Sequence, residues 1–545
     1  MPKYLLTYLI GFFVVSFLTG SQSQACTNIL VTKGASKDGS VIITYSCDGE
    51  FVPHPRIIPA ADHQPNDSLQ FKLGDKIVKI PQPPHTYKVV DLMNEYQLVI
   101  GETTFSGRKE LINPQGLFHY WTLMRLALQR AKTAREAIRV ITGLVEKYGY
   151  RSSGESISIA DPNEAWILEI IGPGPGGHSA EWVAVKIPDG YISCHANKAR
   201  IGTFPLNDPD NCLYSKNVIS FAIKKGYYNP KSGQPFRFNE AYCPDTPRNR
   251  RYSDMRVWSI FRRAAPSKHF SADYARGDQN AKPYPLWIKP DHKLSVADVF
   301  ALMRDHYEGT PYDMTKGIDA GPFGAPDRWR PISWNVDSME YAWERPISTQ
   351  QTGFSFISQS RSWLPNGIGG LLWYGLDNTY TSCYMPVYCS AERFAAPLET
   401  GTLRQFSWDS AWWVFNLVAN YANLKYSYMI RDIKKVQAEL ENKFLTTQPD
   451  VEKKALELAK LNPQKMISYL TDYTLACQNK VFNRWKKLAV FLITKYNDGY
   501  VQDRPGHPTE RGYPQSWLRQ VVKEKGNQLR LPENKKKKPE SKLVD

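Results

Sequence analysis

Several familiar routes to chemistry are missing from this chain. Its eight cysteines form no C-x-x-C pair, which argues against zinc ribbons and thioredoxin-like redox sites. Its ten histidines include no close pair at helical ligand spacing, and no H-E-x-x-H, serine elbow, Walker loop or EF-hand occurs. The run Gly172-Pro173-Gly174-Pro175-Gly176-Gly177 is no phosphate cradle, because its prolines remove two amides and no lysine follows. Zinc-finger, RNA-binding and basic-helix signatures are also missing, so the net charge of +16 does not read as nucleic-acid binding. Part of that excess is a local tail, where Lys523, Lys525, Arg530, Lys535 to Lys538 and Lys542 face only four acids. No internal repeat is found. After residue 18 the apolar runs are short or interrupted, so no stable membrane span is expected beyond the first residues.

What is present starts at the amino end. Lys3 supplies a positive start, Tyr4 to Leu18 an apolar run, and Gly20 to Gln24 a small, polar exit. Ser23 and Ala25 occupy the small-residue cleavage positions, so residues 1–25 read as a signal peptide. The run is short for an uncleaved anchor, and Ser-Gln-Ala before Cys26 lacks the leucine of an acylated lipoprotein. Export places the protein in the periplasm, outside the cell or in a secretory lumen, where disulfides are permitted. Cleavage after Ala25 would make Cys26 the first residue, carrying a thiol and a free α-amine together. A thiolate is a strong nucleophile. An α-amine with pKa of roughly 7.7–8.0 can serve as its base near neutral pH.

With 42% hydrophobic and 22% charged residues, the chain can bury a large core. Asn28 to Thr32 and Val41 to Tyr45 read as strands about the turn Lys37-Asp38-Gly39-Ser40. That hairpin brings residues near 48 back beside Cys26, so Asp48 is a neighbour by geometry, though an ordinary strand-end aspartate would look the same. Tyr96 to Thr104 is a further strand. Helices are expected over Pro114 to Ala131 and after the capping box Thr133-Ala134-Arg135-Glu136. Hairpins follow: Ser156–Ala160 with Ala165–Ile171, and Trp182–Ile187 with Tyr191–His195 about Pro188-Asp189-Gly190. A helix lies near Ser295 to Tyr307, strands return over 353–392, and 407–500 is mostly helical. Antiparallel sheets covered by helices give an α+β class rather than a dinucleotide-binding arrangement.

The segments Cys26-Thr27-Asn28-Ile29-Leu30-Val31 and Ala35-Ser36-Lys37-Asp38-Gly39-Ser40 resemble the mature start of family C69 dipeptidases. These are N-terminal nucleophile hydrolases related to bile salt hydrolases and secernins. Met93-Asn94-Glu95-Tyr96-Gln97, Asp161-Pro162-Asn163-Glu164-Ala165-Trp166, His195-Ala196-Asn197-Lys198-Ala199-Arg200 and Gln359-Ser360-Arg361-Ser362-Trp363-Leu364-Pro365 extend the resemblance across most of 26–400. It implies a four-layer αββα sandwich over 26–400; the apolar pattern adds a C-terminal helical region at 401–525, and composition a basic disordered tail at 526–545. It implies hydrolysis of dipeptides through a thioester on Cys26, with no cofactor and no metal. Asp48 would orient the α-amine, and Asn197 would hold substrate or oxyanion. Arg251 is a weaker match to an active-site arginine; a surface arginine, like a turn asparagine at 197, would look alike. The superfamily's arginine three residues before the aspartate is replaced by Tyr45, and its oxyanion asparagine by Thr104. The partner is a dipeptide or small amide, and a homo-oligomer is compatible. An acylase of N-acyl amino acids or bile-salt-like conjugates, and a binding protein with a dead site, stay open.

Overall fold

The computed structural model describes residues 26–327 and 333–530; the expected signal peptide over 1–25 and the end of the basic tail lie outside them. Strand β1 (Asn28–Val31) and strand β2 (Ile42–Asp48) run antiparallel, with Leu30 opposite Ile43 and Val31 opposite Ile42. The turn between them is held by the Asp38 carboxylate, which accepts from the Ser40 amide at 3.1 Å and hydroxyl at 2.6 Å, while Gly39 takes φ 81°. Glycine tolerates that left-handed backbone without Cβ strain. Every residue of β2 is buried.

Strand β3 is Val99–Phe105, β4 Gly154–Ala160, β5 Ala165–Ile171, β6 Glu181–Lys186 and β7 Ile192–His195. Strand β8 is Thr352–Gln359, β9 Leu371–Leu376 and β10 Met385–Tyr388. A seven-stranded sheet runs from Trp287–Ile288 through β7, β1, β2, β8, β9 to β10. An eight-stranded sheet runs from Cys212–Tyr214 through β6, β5, β4 and β3 to three short strands. The described pairings in both are antiparallel, and β2 of the first sheet lies against β3 and β4 of the second.

One expectation is corrected. Trp182–Ile187 and Tyr191–His195 are not a hairpin: β6 pairs with β5, whereas β7 pairs with β1 in the other sheet. Pro188 has no amide to close a ladder. The loop is instead tied to the first hairpin, through the Gly34 amide on the Asp189 carboxylate (2.6 Å) and the Thr32 hydroxyl on the Tyr191 carbonyl (2.8 Å). The chain therefore crosses between sheets here and delivers Asn197 to the Cys26 side.

Helix α1 spans Tyr120–Arg130, six residues later than the apolar stripe suggests. Gly116 explains the delay: a Cβ there would sit 2.5 Å from the Tyr150 backbone, so residues 114–119 form a packed loop. Helix α2, Ala134–Tyr148, is capped by the Thr133 hydroxyl, which accepts from the Glu136 amide at 3.3 Å. The Glu136 carboxylate reaches the Lys132 amide (2.7 Å). Helix α2 packs on β4 and β5. After helix α3 (Met255–Ala264), which packs on β7, the carboxyl-terminal region supplies α4 (Ala411–Ala422), α5 (Tyr426–Leu461) and α6 (Pro463–Lys495). Helix α4 contacts β9, and α6 contacts β10. Two arginines tie this region to the rest of the chain: partly buried Arg304 meets Glu441 at 2.9 and 2.5 Å, and buried Arg361 meets Glu452 at 2.6 Å. A last helix, α7 (Gln515–Leu529), extends beyond residue 525. The architecture is thus mixed α/β, with antiparallel sheets and a helical carboxyl-terminal region. All eight cysteines are free and buried. No helix among the described residues is long and apolar enough to cross a membrane.

Candidate active site

Cys26 lies two residues before the start of β1 and is fully buried. The bridge between Thr27 and Ser46 extends the β1–β2 register to the position where Cys26 faces Cys47. The Cys26 thiol points at Glu102, with Sγ 3.8 Å from Oε1. The same carboxylate oxygen accepts from the Tyr45 hydroxyl at 2.6 Å. Burial, then the neighbouring Cys47 thiol and the negative fields of Glu102 and Asp48, push the Cys26 thiol well above its ordinary value. A base is therefore needed before it can attack.

Strand β3 places Glu102 and Thr104 on one face, two residues apart. Across the ladder, Glu155 pairs directly with Thr104, whose hydroxyl donates to its carboxylate at 2.9 Å. Glu102 and Glu155 are also within hydrogen-bond reach of each other. Burial raises both carboxyls, and Glu102 pushes Glu155 well above the carboxylate range. Two acids so placed oppose each other's ionisation. Among the described residues neither enters an ion pair, and Oε2 of each is buried without a hydrogen-bond partner of the usual kind.

Asp48, at the end of β2, is treated differently. Its Oδ2 accepts from Arg345 Nη2 at 2.5 Å and its Oδ1 from the Thr352 hydroxyl at 2.6 Å. Burial still leaves its pKa above the ordinary value, against the downward pull of Arg345 and Thr352. Arg345 brings a guanidinium to the aspartate from 297 residues away. Arg345 also lines a shallow pocket with Met314, Trp343, Glu344, Thr349 and Gln351.

Arg256, from α3, joins the remaining parts. Its Nη1 donates to the Cys26 carbonyl at 2.7 Å and the Thr27 hydroxyl at 2.9 Å. Its Nη2 donates to the Ala196 carbonyl at 3.2 Å and to Asn197 Oδ1 at 2.9 Å. Burial lowers this guanidinium to about 10, so it stays charged at neutral pH. Asn197 takes φ 57° and donates from Nδ2 to the Thr104 carbonyl at 2.7 Å. Hydrogen bonds thus connect Cys26, Asn197 and Thr104 through Arg256, and Asp48 lies near enough to act on Cys26 and Arg256 through its charge. Arg251 is held elsewhere, donating to the Ala342 carbonyl at 2.9 Å. The arginine beside Cys26 is Arg256, five residues on. Glu102, Arg256 and Arg345 escape the sequence because no local spacing marks them.

His195 is no base for this cysteine. The Thr103 hydroxyl lies 2.7 Å from its Nδ1 and the Ser158 hydroxyl 2.7 Å from its Nε2. Burial lowers it to about 3. Among the described residues, no group of three His, Cys, Asp or Glu side chains forms a metal site.

The profile of peptidase family C69 matches residues 25–90 and 78–439. A probable dipeptidase of Latilactobacillus sakei is 27% identical over 409 residues, covering 71% of this chain and 79% of that protein. A probable dipeptidase A of Streptococcus pyogenes serotype M3 is 26% identical over 490 residues, covering 84% and 97%. A dipeptidase A of Lactobacillus helveticus is 24% identical over 447 residues, covering 77% and 84%.

Proposed function

The chain belongs to peptidase family C69, and on that footing we propose that it is an exported cysteine-type dipeptidase of the N-terminal nucleophile kind. One observation carries this reading: a buried thiol at Cys26 with carboxylates, a guanidinium and Asn197 gathered around it, while His195 is engaged by two hydroxyls. The contact of β2 with β3 and β4, with helices packed on strands of both sheets, supports reading the core as a four-layer αββα sandwich.

Cleavage after Ala25 would free the Cys26 α-amine. That amine takes the thiol proton, Sγ attacks the substrate carbonyl, and the developing oxyanion is met by polar donors such as Asn197 Nδ2. The α-ammonium then protonates the departing amine, and water hydrolyses the thioester. Asp48 orients the amine. Arg256 holds the Cys26 carbonyl, and through Asn197 it holds the far wall.

Mass spectrometry of the protein recovered from the export compartment, together with release of free amino acids from dipeptides, tests the reading. A mature chain beginning at Cys26 is expected to turn over dipeptides, and Cys26→Ala to lose turnover. Undiminished hydrolysis by Cys26→Ala, or an acylated Cys26, would overturn the mechanism.

A further inference from the structure

Buried carboxylates are normally paired with a cation or hydrogen-bonded throughout, because an uncompensated charge is costly to bury. Glu102 and Glu155 break this rule beside the nucleophile. Both are fully buried, neither is in an ion pair among the described residues, and neither Oε2 is met by a donor from another residue type. Their hydrogen-bond partners are the Tyr45 hydroxyl, the Cys26 thiol, the Thr104 hydroxyl and each other. Tyr120, also buried, lies close enough to feel both charges.

We infer that Glu102 and Glu155 form the recognition site for the free α-ammonium group of the substrate, restricting hydrolysis to peptides whose scissile residue carries an unblocked amine. The inference rests on the dipeptidase reading and adds to it the chemical class of the acyl side. In a dipeptide, covalent geometry keeps the amino nitrogen about 2.5 Å from the carbonyl carbon that the thiol attacks. When Cys26 Sγ bonds that carbon, the nitrogen lies within a few ångströms of Sγ. Glu102 Oε1, 3.8 Å from Sγ, is therefore within reach of it. An α-ammonium beside these two carboxyls would supply the positive charge that the chain itself does not place there, and a dry site favours such compensation. The acyl carbonyl of an N-acyl amino acid or bile-salt-like conjugate carries no amine on its α-carbon, so such a substrate brings no positive charge to the acids. This disfavours the acylase alternative on electrostatic grounds.

The discriminating probes are a panel of dipeptides, their des-amino analogues (the same amide with hydrogen in place of the amine) and their N-acetyl derivatives. Mature wild type is expected to favour the free dipeptide by 100-fold or more in kcat/KM over both others. Glu102→Gln is expected to erase most of that preference while the protein keeps its melting temperature within a few degrees. Binding of the same three probes to mature Cys26→Ala, read by calorimetry, separates this inference from the hydrolase reading. A preference in binding without any turnover in wild type sustains the ammonium site and sinks the dipeptidase. Equal binding and equal turnover of free and des-amino ligands would show that the acids serve the enzyme's own α-amine or only the fold, and would overturn the inference whatever the Gln variant does.

Discussion

On one flank of Cys26, Asp48 is met by the Arg345 guanidinium and the Thr352 hydroxyl, so its charge is answered within the chain. On the other flank, Glu102 and Glu155 meet hydroxyls, a thiol and each other, with no cation among the described residues. Both flanks are buried to the same degree. A compensated acid is settled when the chain folds and can hold a fixed orientation. An uncompensated pair keeps its demand for positive charge until something brings it.

If the first flank is truly held by Arg345, Arg345→Met should be the most damaging change. It leaves Asp48 buried and unpaired, and breaking such a pair costs about 3–5 kcal/mol. Denaturant unfolding would register this, and Asp48→Asn added to it should restore part of the loss. No change in midpoint would mean that Asp48 is neutral and the flanks are alike. Next comes Arg256→Lys, which keeps charge but cannot reach Cys26, Thr27, Ala196 and Asn197 together. A fall of about 10²–10³-fold in kcat is expected, in line with loss of a positioned donor, with a smaller change in KM.

Glu169 supplies an intermediate case: an acid without a close ion pair, yet held by the Arg200 and Ile201 amides at 2.5 and 3.1 Å. Burial raises it from 4.5 to about 7. Between those values the folded state holds a proton that the unfolded state has released, so stability is full below pH 4.5 and declines as pH rises through 7. The full difference is on the order of 3 kcal/mol. Glu169→Gln should flatten that part of the stability-versus-pH curve; an unchanged slope would show that the amides outweigh burial. The smallest effect is expected from Thr352→Val, which removes one hydrogen bond to Asp48 while Arg345 remains. A loss of about 1–2 kcal/mol is expected, with the kcat/KM preference for free dipeptides untouched.

The local half of the site was legible beforehand. Asp38-Gly39 has to turn, the flanking apolar runs have to pair, and their register carries Asp48 back toward Cys26. Capping chemistry likewise places α2 within a residue of its observed start. The hairpin expected about Pro188-Asp189-Gly190 failed because turn residues report that the chain bends, and they do not report which sheet receives the next strand. That Arg256 and not Arg251 contacts Cys26 has a related reason. A π-helical turn over Arg250–Asp254 runs into α3, and the phase of that join sets which arginine points at Cys26.

Cys26 and its hairpin were thus set by neighbours within about twenty residues, where backbone geometry and turn chemistry act directly. Membership of peptidase family C69 was readable from the same linear order of short blocks. The partners of those residues were not. Glu102 lies 76 positions from Cys26, Arg256 lies 230 from it, and Arg345 lies 297 from Asp48. Contacts at such separations depend on how two sheets stack and where the helices dock. That is decided by burial summed over the whole core, and no local spacing encodes it.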